Sequence, residues 1–516
     1  MSDEGRDVLL RRASRSMFWN ATLLPLITIF NLVASILIRR YFGLEVSGRY
    51  DVVIALVNSW MLYPDLGLTT TVSQFAPSLE TRYGRSAVAA FLGRVGGLRL
   101  ALLLFVLVPA NLFADVIAAR LHLGEAGVWL IHLTTLLTAV RAANQLVMKS
   151  LQALLRHLWA NLLQLLQAVA AAAVVVIAFA AGKPLEAVVG GLVIVGVGVL
   201  AVGLSRLWAA IRAIPERAPA PATDFAPGVP RSRFLKFGLF MYMYNWLNYF
   251  VTPAFASPMI ALVAGSAAPV ALFSVGFQLP QMAVVLVLAG FQGLYRPLFA
   301  RLVDDDSPAK LRAAFTEITK VQTVFLLPAG VGLGVLAADY VPLMFGSEFA
   351  TAVPVARALC VFLVAEALFN LGTILLSVDH QYREVALSQM LRVAGVPAFI
   401  YLAARSDVVG AAAVFGVARF LSAGTGYLFA RRRYRVRFPL AFALRAAVPS
   451  AVMGVVVAIG RSLVPTSWPQ VVGLTLLGIV IVAVGARVFR VLGEHELALI
   501  ERAGLPGGTH IIRWLR

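Results

Sequence analysis

Charged residues and cysteine are scarce in this 516-residue chain, which has 13% Asp, Glu, Lys and Arg and one cysteine, Cys360. Soluble proteins have about 25% charged residues, and a single soluble core stops growing near about 250–300 residues. The scarcity of charge therefore excludes an ordinary soluble enzyme, a disordered chain and a coiled coil. A single cysteine excludes an intrachain disulfide and a thiolate metal cluster.

Motifs of cofactor chemistry are also missing from the sequence. It has no phosphate-binding loop of the Walker type, and its six histidines show no metal-ligand spacing. We therefore expect no metal, no cofactor and no hydrolysis of ATP by the chain itself. The first residues, Met1 to Gly5, carry two acids and lack a small-residue cleavage site, so a cleavable signal peptide is not expected.

Apolar residues are abundant instead, at 60% of the chain with a mean hydropathy of +0.85. They form blocks of about 20 residues, the length that crosses a bilayer. This pattern predicts an all-α polytopic membrane protein with about fourteen transmembrane helices. The predicted spans are 16–38, 51–75, 88–114, 126–148, 158–181, 185–209, 234–263, 269–295, 318–338, 352–378, 385–404, 408–430, 440–460 and 468–487.

The net charge of +19 is a strong basic excess. In a soluble domain it would suggest nucleic acid, but in a membrane protein Lys and Arg in cytoplasmic loops set the orientation. If the N-terminus is cytoplasmic, 31 of the 44 basic residues lie in cytoplasmic segments and 8 in outer segments. We therefore expect both termini in the cytoplasm and no nucleic-acid partner.

A proline-rich connector divides the chain after the sixth predicted helix. We expect a first lobe at 1–210, a cytoplasmic linker at 211–233 and a second lobe at 234–437. Two more helices at 438–490 and a cytoplasmic tail at 491–516 complete the prediction. Sliding the sequence by about 225 residues gives scattered matches, and two six-helix repeats with the same orientation would enclose a cavity, as in some transporters.

Arginines inside the predicted spans are the main indication of function. A charge costs about 2.5–3.5 kcal/mol at mid-bilayer on insertion scales, so it usually faces a cavity or a partner. Four arginines lie well inside their spans, namely Arg99, Arg141, Arg392 and Arg419. Guanidinium groups bind phosphate and carboxylate through paired hydrogen bonds. These residues predict a cavity for an anionic substrate, and the alternative is a set of structural ion pairs.

Polar residues in the spans supply further candidates for substrate binding. Amides and aromatic faces suit sugars, and we single out Asn20, Asn245 and Gln278, with Arg40 as another cationic candidate. The alternative for each amide is a hydrogen bond between helices. Further amides in the spans are Asn31, Asn144, Gln145, Gln164, Gln167, Asn248, Gln281, Gln292 and Asn370.

Two carboxylates in the spans, Glu366 and Asp65, are candidates for proton or sodium coupling, with structural pairing as the alternative. The repeat register adds a hypothesis, because Arg141 and Glu366 would occupy equivalent positions in the two lobes. We therefore consider that these two side chains could meet in one conformation.

The chain resembles the polysaccharide-transporter branch of the multidrug/oligosaccharidyl-lipid/polysaccharide exporter superfamily, which contains O-antigen and polysaccharide flippases. The resemblance spans nearly the whole chain. It is carried by the basic N-terminal stretch, Arg40-Tyr41-Phe42-Gly43, Gly48-Arg49-Tyr50, Asp65-Leu66-Gly67-Leu68, Leu343-Met344-Phe345-Gly346 and the glutamates Glu494 and Glu496. The chain is also similar to the lipid II flippase, which typically has an arginine in its eighth helix where this chain offers only Gln278.

The resemblance implies a transporter rather than an enzyme. It implies a flippase in the inner membrane that exports a polyprenyl-(di)phosphate-linked oligosaccharide to the outer leaflet by alternating access, for lipopolysaccharide and cell-envelope synthesis. Membrane lipids and other polysaccharide assembly proteins are the implied partners. The alternatives are a lipid II-type flippase, a multidrug antiporter of the same superfamily, and a membrane glycosyltransferase or polymerase. Buried arginines argue against the cationic cargo of an antiporter, and short outer loops argue against the enzyme.

Overall fold

The computed structural model of the chain describes residues 3–217, 231–305 and 307–489, except for the side chains of 3–22, 231, 233, 234, 286–294, 296, 297 and 304. Within these residues the regular structure is helical, apart from one isolated β-bridge between Gly84 and Glu216. The prediction of an all-α polytopic membrane protein is confirmed.

The chain forms two compact units, Met1–Val270 and Ala271–Arg516. The helices of the first unit are α1 (Asp3–Leu62), α2 (Leu68–Arg82), α3 (Arg85–Leu112), α4 (Ala114–Arg120), α5 (Gly127–Ala153), α6 (His157–Ala180), α7 (Leu185–Arg212), α8 (Arg231–Tyr249) and α9 (Pro253–Ala264). Those that follow are α10 (Ala268–Asp304), α11 (Pro308–Phe345), α12 (Val353–Val378), α13 (Tyr382–Ala394), α14 (Val396–Ala404), α15 (Val408–Tyr434), α16 (Leu440–Leu463) and α17 (Trp468–Val488).

The predicted number of fourteen spans is not confirmed. In the described residues, eleven helices are long and apolar enough to cross a membrane, or up to twelve if one bent pair is a single span. One reason is α1, whose 40 residues from Leu23 to Leu62 cover most of the first predicted span and half of the second. Another is α5, which carries Arg141 and Lys149 and is not among the eleven.

The long helix α1 consists of two helices that meet at Gly43. This glycine has φ 68° and ψ −169°, a conformation that strongly disfavours residues with a Cβ. The chain can therefore change direction at this residue. The motif Arg40-Tyr41-Phe42-Gly43 contains this kink, so the glycine in it has a structural role.

The second predicted span, 51–75, is not one helix. It is interrupted by a turn between Leu62 and Leu68 that contains Pro64, and Gly67 adopts a left-handed conformation with φ 74°. Proline lacks the amide hydrogen that an α-helix needs, and glycine accepts positive φ at little cost. Asp65 therefore lies in a buried turn, and not within a continuous span.

The predicted seventh span is also broken. Helix α8 ends at Tyr249, Thr252 is extended, and Pro253 starts α9 at an angle of 47°. Proline suits the first position of a helix because the amide there needs no partner inside the helix. The hydroxyl of Ser59 donates 2.9 Å to the carbonyl of Ala254 and lies 3.0 Å from the hydroxyl of Tyr249. Helix α1 thus fixes the break.

The first unit has a core in which α2, α3, α5, α6 and α7 meet. Val72, Val88, Phe91 and Leu151 are buried there with 0% exposure. Beyond α7, the side chain of Glu216 accepts 2.9 Å from Nε of Arg85 at the start of α3. This hydrogen bond holds the pKa of the exposed Glu216 carboxyl below its usual value. The linker predicted at 211–233 falls mostly on 218–230, outside the described residues.

The second unit is centred on α12, which packs along α15. Gly372 permits this contact, because a Cβ there would lie 2.6 Å from the Cα of Tyr427. The helix pair α16 and α17 packs on α11, where the buried Asp339 pairs with Arg461 at 2.5 Å and accepts 3.0 Å from Thr466. The domain boundaries predicted from the sequence stay a prediction, and the tail at 491–516 lies outside the described residues.

Candidate functional site

Helix α5 is held in position by two consecutive amides. Asn144 donates 2.8 Å to the carbonyl of Gly196 on α7, and Gln145 accepts 2.5 Å from Nη2 of Arg99 on α3. Gly196 allows the close approach of α7, since a Cβ there would lie 2.7 Å from a methyl of Val140. These contacts fix the rotation of α5 and therefore the direction of Arg141, one turn earlier.

Arg99 forms a buried ion pair with Asp65. The distance from Nη2 to the carboxylate is 3.6 Å, and both residues are nearly inaccessible, at 3% and 5% exposure. Asp65 also accepts 2.9 Å from the hydroxyl of Thr69. The pair gives Arg99 a structural partner, which is the alternative that the sequence left open for it. The same pair gives the carboxylate of Asp65 a cationic partner. Together the two side chains add no net charge to the interior.

A similar pair lies near the kink of α1. Nη2 of Arg39 is 3.2 Å from a carboxylate oxygen of Asp51, and Nη1 contacts the hydroxyl of Ser35. This pair was not singled out from the sequence. The exposed Arg40 follows it on α1.

Arg141 lies on the wall of a cavity within the first unit. The cavity has a volume of about 310 Å³. Its lining comes from α1, α5, α6 and α7 and consists of Ile27, Asn31, Arg141, Gln164, Gln167, Ala168, Ala171, Leu192 and Val195. The lining contains an arginine and three amides but no carboxylate. Nε of Arg141 is buried and makes no hydrogen bond with the described residues.

The other two deep arginines share one carboxylate in the second unit. Glu366 on α12 accepts 3.3 Å from Nη2 of Arg392 and 2.6 Å from Nε of Arg419. Nε of Arg392 also donates 3.0 Å to the hydroxyl of Ser422. Glu366 and Arg392 are 7% and 6% exposed. The guanidinium of Arg419 lies 5.5 Å from the ring centroid of Phe277. Because the cluster contains two guanidinium groups and one carboxylate, it carries one net positive charge.

Two other residues predicted to bind substrate, Asn245 and Gln278, are not among the lining residues of this cavity. Asn245 is half-buried on α8, and Gln278 is half-buried on α10. The side chain of Asn20 lies outside the described residues. The part of the chain that the structure describes contains no group of three or more His, Cys, Asp or Glu that could hold a metal ion.

The sequence did not single out the amides that line the cavity. Gln164 and Gln167 lie three residues apart on α6, so they share one face of that helix. Asn31 reaches the same cavity from α1. The spacing of the two glutamines indicates a shared polar face on α6. It does not by itself indicate a cavity, because Arg141 reaches that cavity from another helix, α5.

Comparison with known proteins identifies the family. A model of the family described as "polysaccharide biosynthesis protein" matches residues 48–354. The lipopolysaccharide biosynthesis protein WzxC of Escherichia coli (strain K12) is 34% identical over 82 residues, which cover 16% of each chain. An uncharacterized membrane protein in the cps region of Klebsiella pneumoniae is 24% identical over 196 residues, 38% of this chain and 40% of that protein. The chain thus aligns with less than half the length of these curated relatives.

Solved structures show the fold more completely. The lipid II flippase MurJ in an inward closed conformation has a TM-score of 0.72 at 14% identity and covers 92% of this chain and 98% of its own. An inward-facing multidrug resistance MATE transporter of the MOP superfamily has a TM-score of 0.60 at 16% identity, over 79% of this chain and 94% of its own. The fold is therefore one that transporters of this superfamily use.

Proposed function

Because the chain belongs to the polysaccharide biosynthesis protein family, we propose that it is a flippase for a polyprenyl-(di)phosphate-linked oligosaccharide. It moves this lipid from the cytoplasmic to the outer leaflet of the inner membrane by alternating access, with both termini in the cytoplasm. The family match over residues 48–354, on a fold shared with MurJ over 92% of the chain, is the observation that carries the proposal.

The physical task explains why such a protein needs buried cationic groups. A lipid diphosphate with a sugar head cannot cross hydrocarbon alone, because the charged and polar groups would lose their hydration. The interior of the helices holds positive charge in excess, since Glu366 serves two arginines and Arg141 has no carboxylate among the described residues. An interior of this charge favours an anionic cargo and disfavours the cationic drugs of an antiporter.

The membrane potential gives the movement a direction. An inside-negative potential favours the outward transfer of an anion by about 2.3 kcal/mol per charge for each 100 mV. A cargo that keeps two negative charges during the crossing can therefore be exported without a coupling ion. The two candidates for proton or sodium coupling, Asp65 and Glu366, both have arginine partners in this conformation.

A lipid II-type flippase is the second candidate, since MurJ shares the fold with a TM-score of 0.72. One assay separates the two. The full chain is reconstituted in liposomes that carry either a fluorescent polyprenyl-diphosphate oligosaccharide or fluorescent lipid II in the inner leaflet, and a membrane-impermeant quencher reports arrival in the outer leaflet. We expect protein-dependent quenching of the oligosaccharide lipid, faster with an inside-negative potential. Quenching of lipid II alone would favour the second candidate, and quenching of neither would overturn both.

A further inference from the structure

A dense group of arginines lies at the end of helix α15 and in the segment that leads to α16. Five arginines occur within the seven residues 431–437, which we call the basic segment, and all five are exposed: Arg431, Arg432, Arg433, Arg435 and Arg437. Arg433 pairs with Asp379 at 3.2 Å, whereas the other four make no ion pair with the described residues. The basic segment therefore presents four cationic groups that have no counter-charge in the part of the chain that the structure describes.

The backbone of the basic segment is held in place at two points. Asp379, which follows α12, accepts 3.2 Å from Nε of Arg433 and 2.5 Å from the hydroxyl of Tyr434. Two residues after Tyr434, the side chain of Val436 is buried with 0% exposure. The exposed Arg435 lies between these two fixed points. Cations on a fixed backbone lose less conformational entropy when they bind a ligand than cations on a mobile one.

Exposed leucines flank the basic segment on both sides in the chain. Leu421 and Leu428 on α15 are 47% and 49% exposed, and because they lie seven residues apart they share one face of the helix. Arg432, four residues after Leu428, continues that face. Leu440 and Leu444 at the start of α16 are 63% and 62% exposed. Both helices are long and apolar enough to cross a membrane, so cations and apolar surface follow one another along the direction of a lipid.

We infer that the basic segment binds the phosphate headgroup of an anionic phospholipid of the surrounding bilayer, with its acyl chains along Leu421 and Leu428. Guanidinium groups bind phosphate through paired hydrogen bonds, and basic clusters next to a membrane helix attract anionic lipids. The occupant is a lipid of the bilayer, because the arginines and the leucines beside them are exposed on the outside of the helices. The inference does not depend on the proposed function.

Two simpler explanations account for the charge of the basic segment but not for its arrangement. Lys and Arg beside a span set the orientation of a membrane protein, and cations are favoured at the C-terminal end of a helix by its dipole. Both effects need positive charge alone. Neither of them needs Asp379 to hold Arg433 and Tyr434, or leucines in register with Arg432. A headgroup site needs both features.

Native mass spectrometry of the purified full chain in detergent tests the inference by measuring the affinity of each lipid that stays bound. The probes are phosphatidylglycerol, phosphatidylcholine, which has a phosphate but no net charge, and glycerol 3-phosphate, which has no acyl chains. We expect phosphatidylglycerol to bind at least about tenfold more tightly than the other two. The double variant Arg431→Gln with Arg432→Gln should weaken its binding by about 10- to 30-fold.

Two further double variants serve as controls for charge. Arg431→Lys with Arg432→Lys keeps both charges, and since an ammonium group also binds phosphate it should weaken phosphatidylglycerol by less than about threefold. Arg405→Gln with Arg120→Gln removes two exposed arginines that lie elsewhere, and it should leave the affinity within about twofold. Equal binding by the wild type and by Arg431→Gln with Arg432→Gln would overturn the inference.

Asp379→Asn separates a fixed site from summed charge, because the two predict changes of opposite sign. The substitution removes a negative charge, so binding that depends on net charge alone becomes tighter. If Asp379 positions Arg433 and Tyr434, the ordering of these side chains is lost and phosphatidylglycerol binds about threefold more weakly or less tightly still. We expect the weaker binding. Tighter binding by Asp379→Asn would overturn the fixed site.

Three competing ligands identify the occupant. Glycerol 3-phosphate that binds as tightly as phosphatidylglycerol would assign the segment to a soluble phosphate. Farnesyl diphosphate that binds more tightly than phosphatidylglycerol, and depends on Arg431 and Arg432, would assign it to a polyprenyl lipid. An oligoglutamate peptide that binds in the same way would assign it to an acidic protein partner. Each of these results would overturn the phospholipid assignment, and the expected result is that phosphatidylglycerol binds most tightly of the four.

Discussion

The two units of this protein both place arginine side chains between packed helices, but with different surroundings. In the second unit, Glu366 bonds to both Arg392 and Arg419 within 3.3 Å, and Ser422 takes a further hydrogen bond. In the first, Arg141 faces a cavity with amides and without a carboxylate. The difference shows that an arginine inside a predicted span can be paired by a carboxylate from another helix, as Arg392 and Arg419 are, or can face a cavity lined by amides, as Arg141 does.

The largest expected effect tests the closed cluster of the second unit. Glu366→Gln removes the carboxylate and leaves two buried guanidinium groups without a counter-charge. Breaking a buried ion pair by removing one partner costs about 3–5 kcal/mol, and we expect a loss of stability in this range. Unfolding of the purified protein by titration with SDS measures it, with Arg445→Gln on the exposed side of α16 as the control. A loss below about 1 kcal/mol would mean that Glu366 does not hold the cluster together.

The next effect concerns the buried ion pair of Asp65 and Arg99 in the first unit, which resembles the ion pairs of Glu366 in the second. Asp65→Asn leaves Arg99 buried without its carboxylate, but Gln145 still accepts 2.5 Å from it. We therefore expect destabilisation of about 2–3 kcal/mol, at or below the lower end for a broken buried pair. The double variant Asp65→Asn with Arg99→Met should recover part of this loss, as SDS titration would show. Additive losses would indicate that the two side chains are not coupled.

The sequence predicted much of the fold and less of the site, for a physical reason. Spans follow from hydropathy, which averages over many residues, so α6, α7, α12 and α17 lie within a few residues of their predictions. Partners depend on the rotation of each helix, where one residue is about 100°. The contact of Glu366 with Arg392 and Arg419 joins positions 26 and 53 residues apart, and no periodicity in a single sequence indicates such pairs.

Breaks inside spans were similarly hard to predict. Pro64 and Pro253 were visible in the sequence, but prolines in membrane helices often only bend them. The turn at Pro64 goes further because Gly67 adopts positive φ beside it. This combination moved Asp65 from the interior of a predicted helix to a turn that faces Arg99. Its role as a coupling residue stays a prediction.

A smaller effect tests how closely α12 and α15 pack in the second unit. Gly372→Ala places a Cβ 2.6 Å from the Cα of Tyr427, so that α12 and α15 must separate. Overpacking of this kind costs about 1–3 kcal/mol. Gly424→Ala on α15 meets no atom within 4 Å and is the matched control, with an expected change below about 0.5 kcal/mol. Equal thermal shifts for the two variants would show that the close contact is not needed for the packing of the second unit.

The smallest expected effect on stability is that of Arg141→Gln, and it differs most from the effect of a substitution in the Glu366 cluster. Arg141→Gln removes a charge that has no carboxylate partner among the described residues, so it breaks no ion pair and relieves an uncompensated positive charge. Glutamine is itself a common lining residue of this cavity and can be accommodated beside Gln164 and Gln167. We expect the free energy of unfolding to change by less than about 1 kcal/mol, or to rise, in the same SDS titration. Arg392→Gln, which leaves Ser422 without its donor, should lose about 2 kcal/mol or more by comparison. Similar losses for both variants would mean that Arg141 is a structural residue, and the contrast between the two units would then not hold.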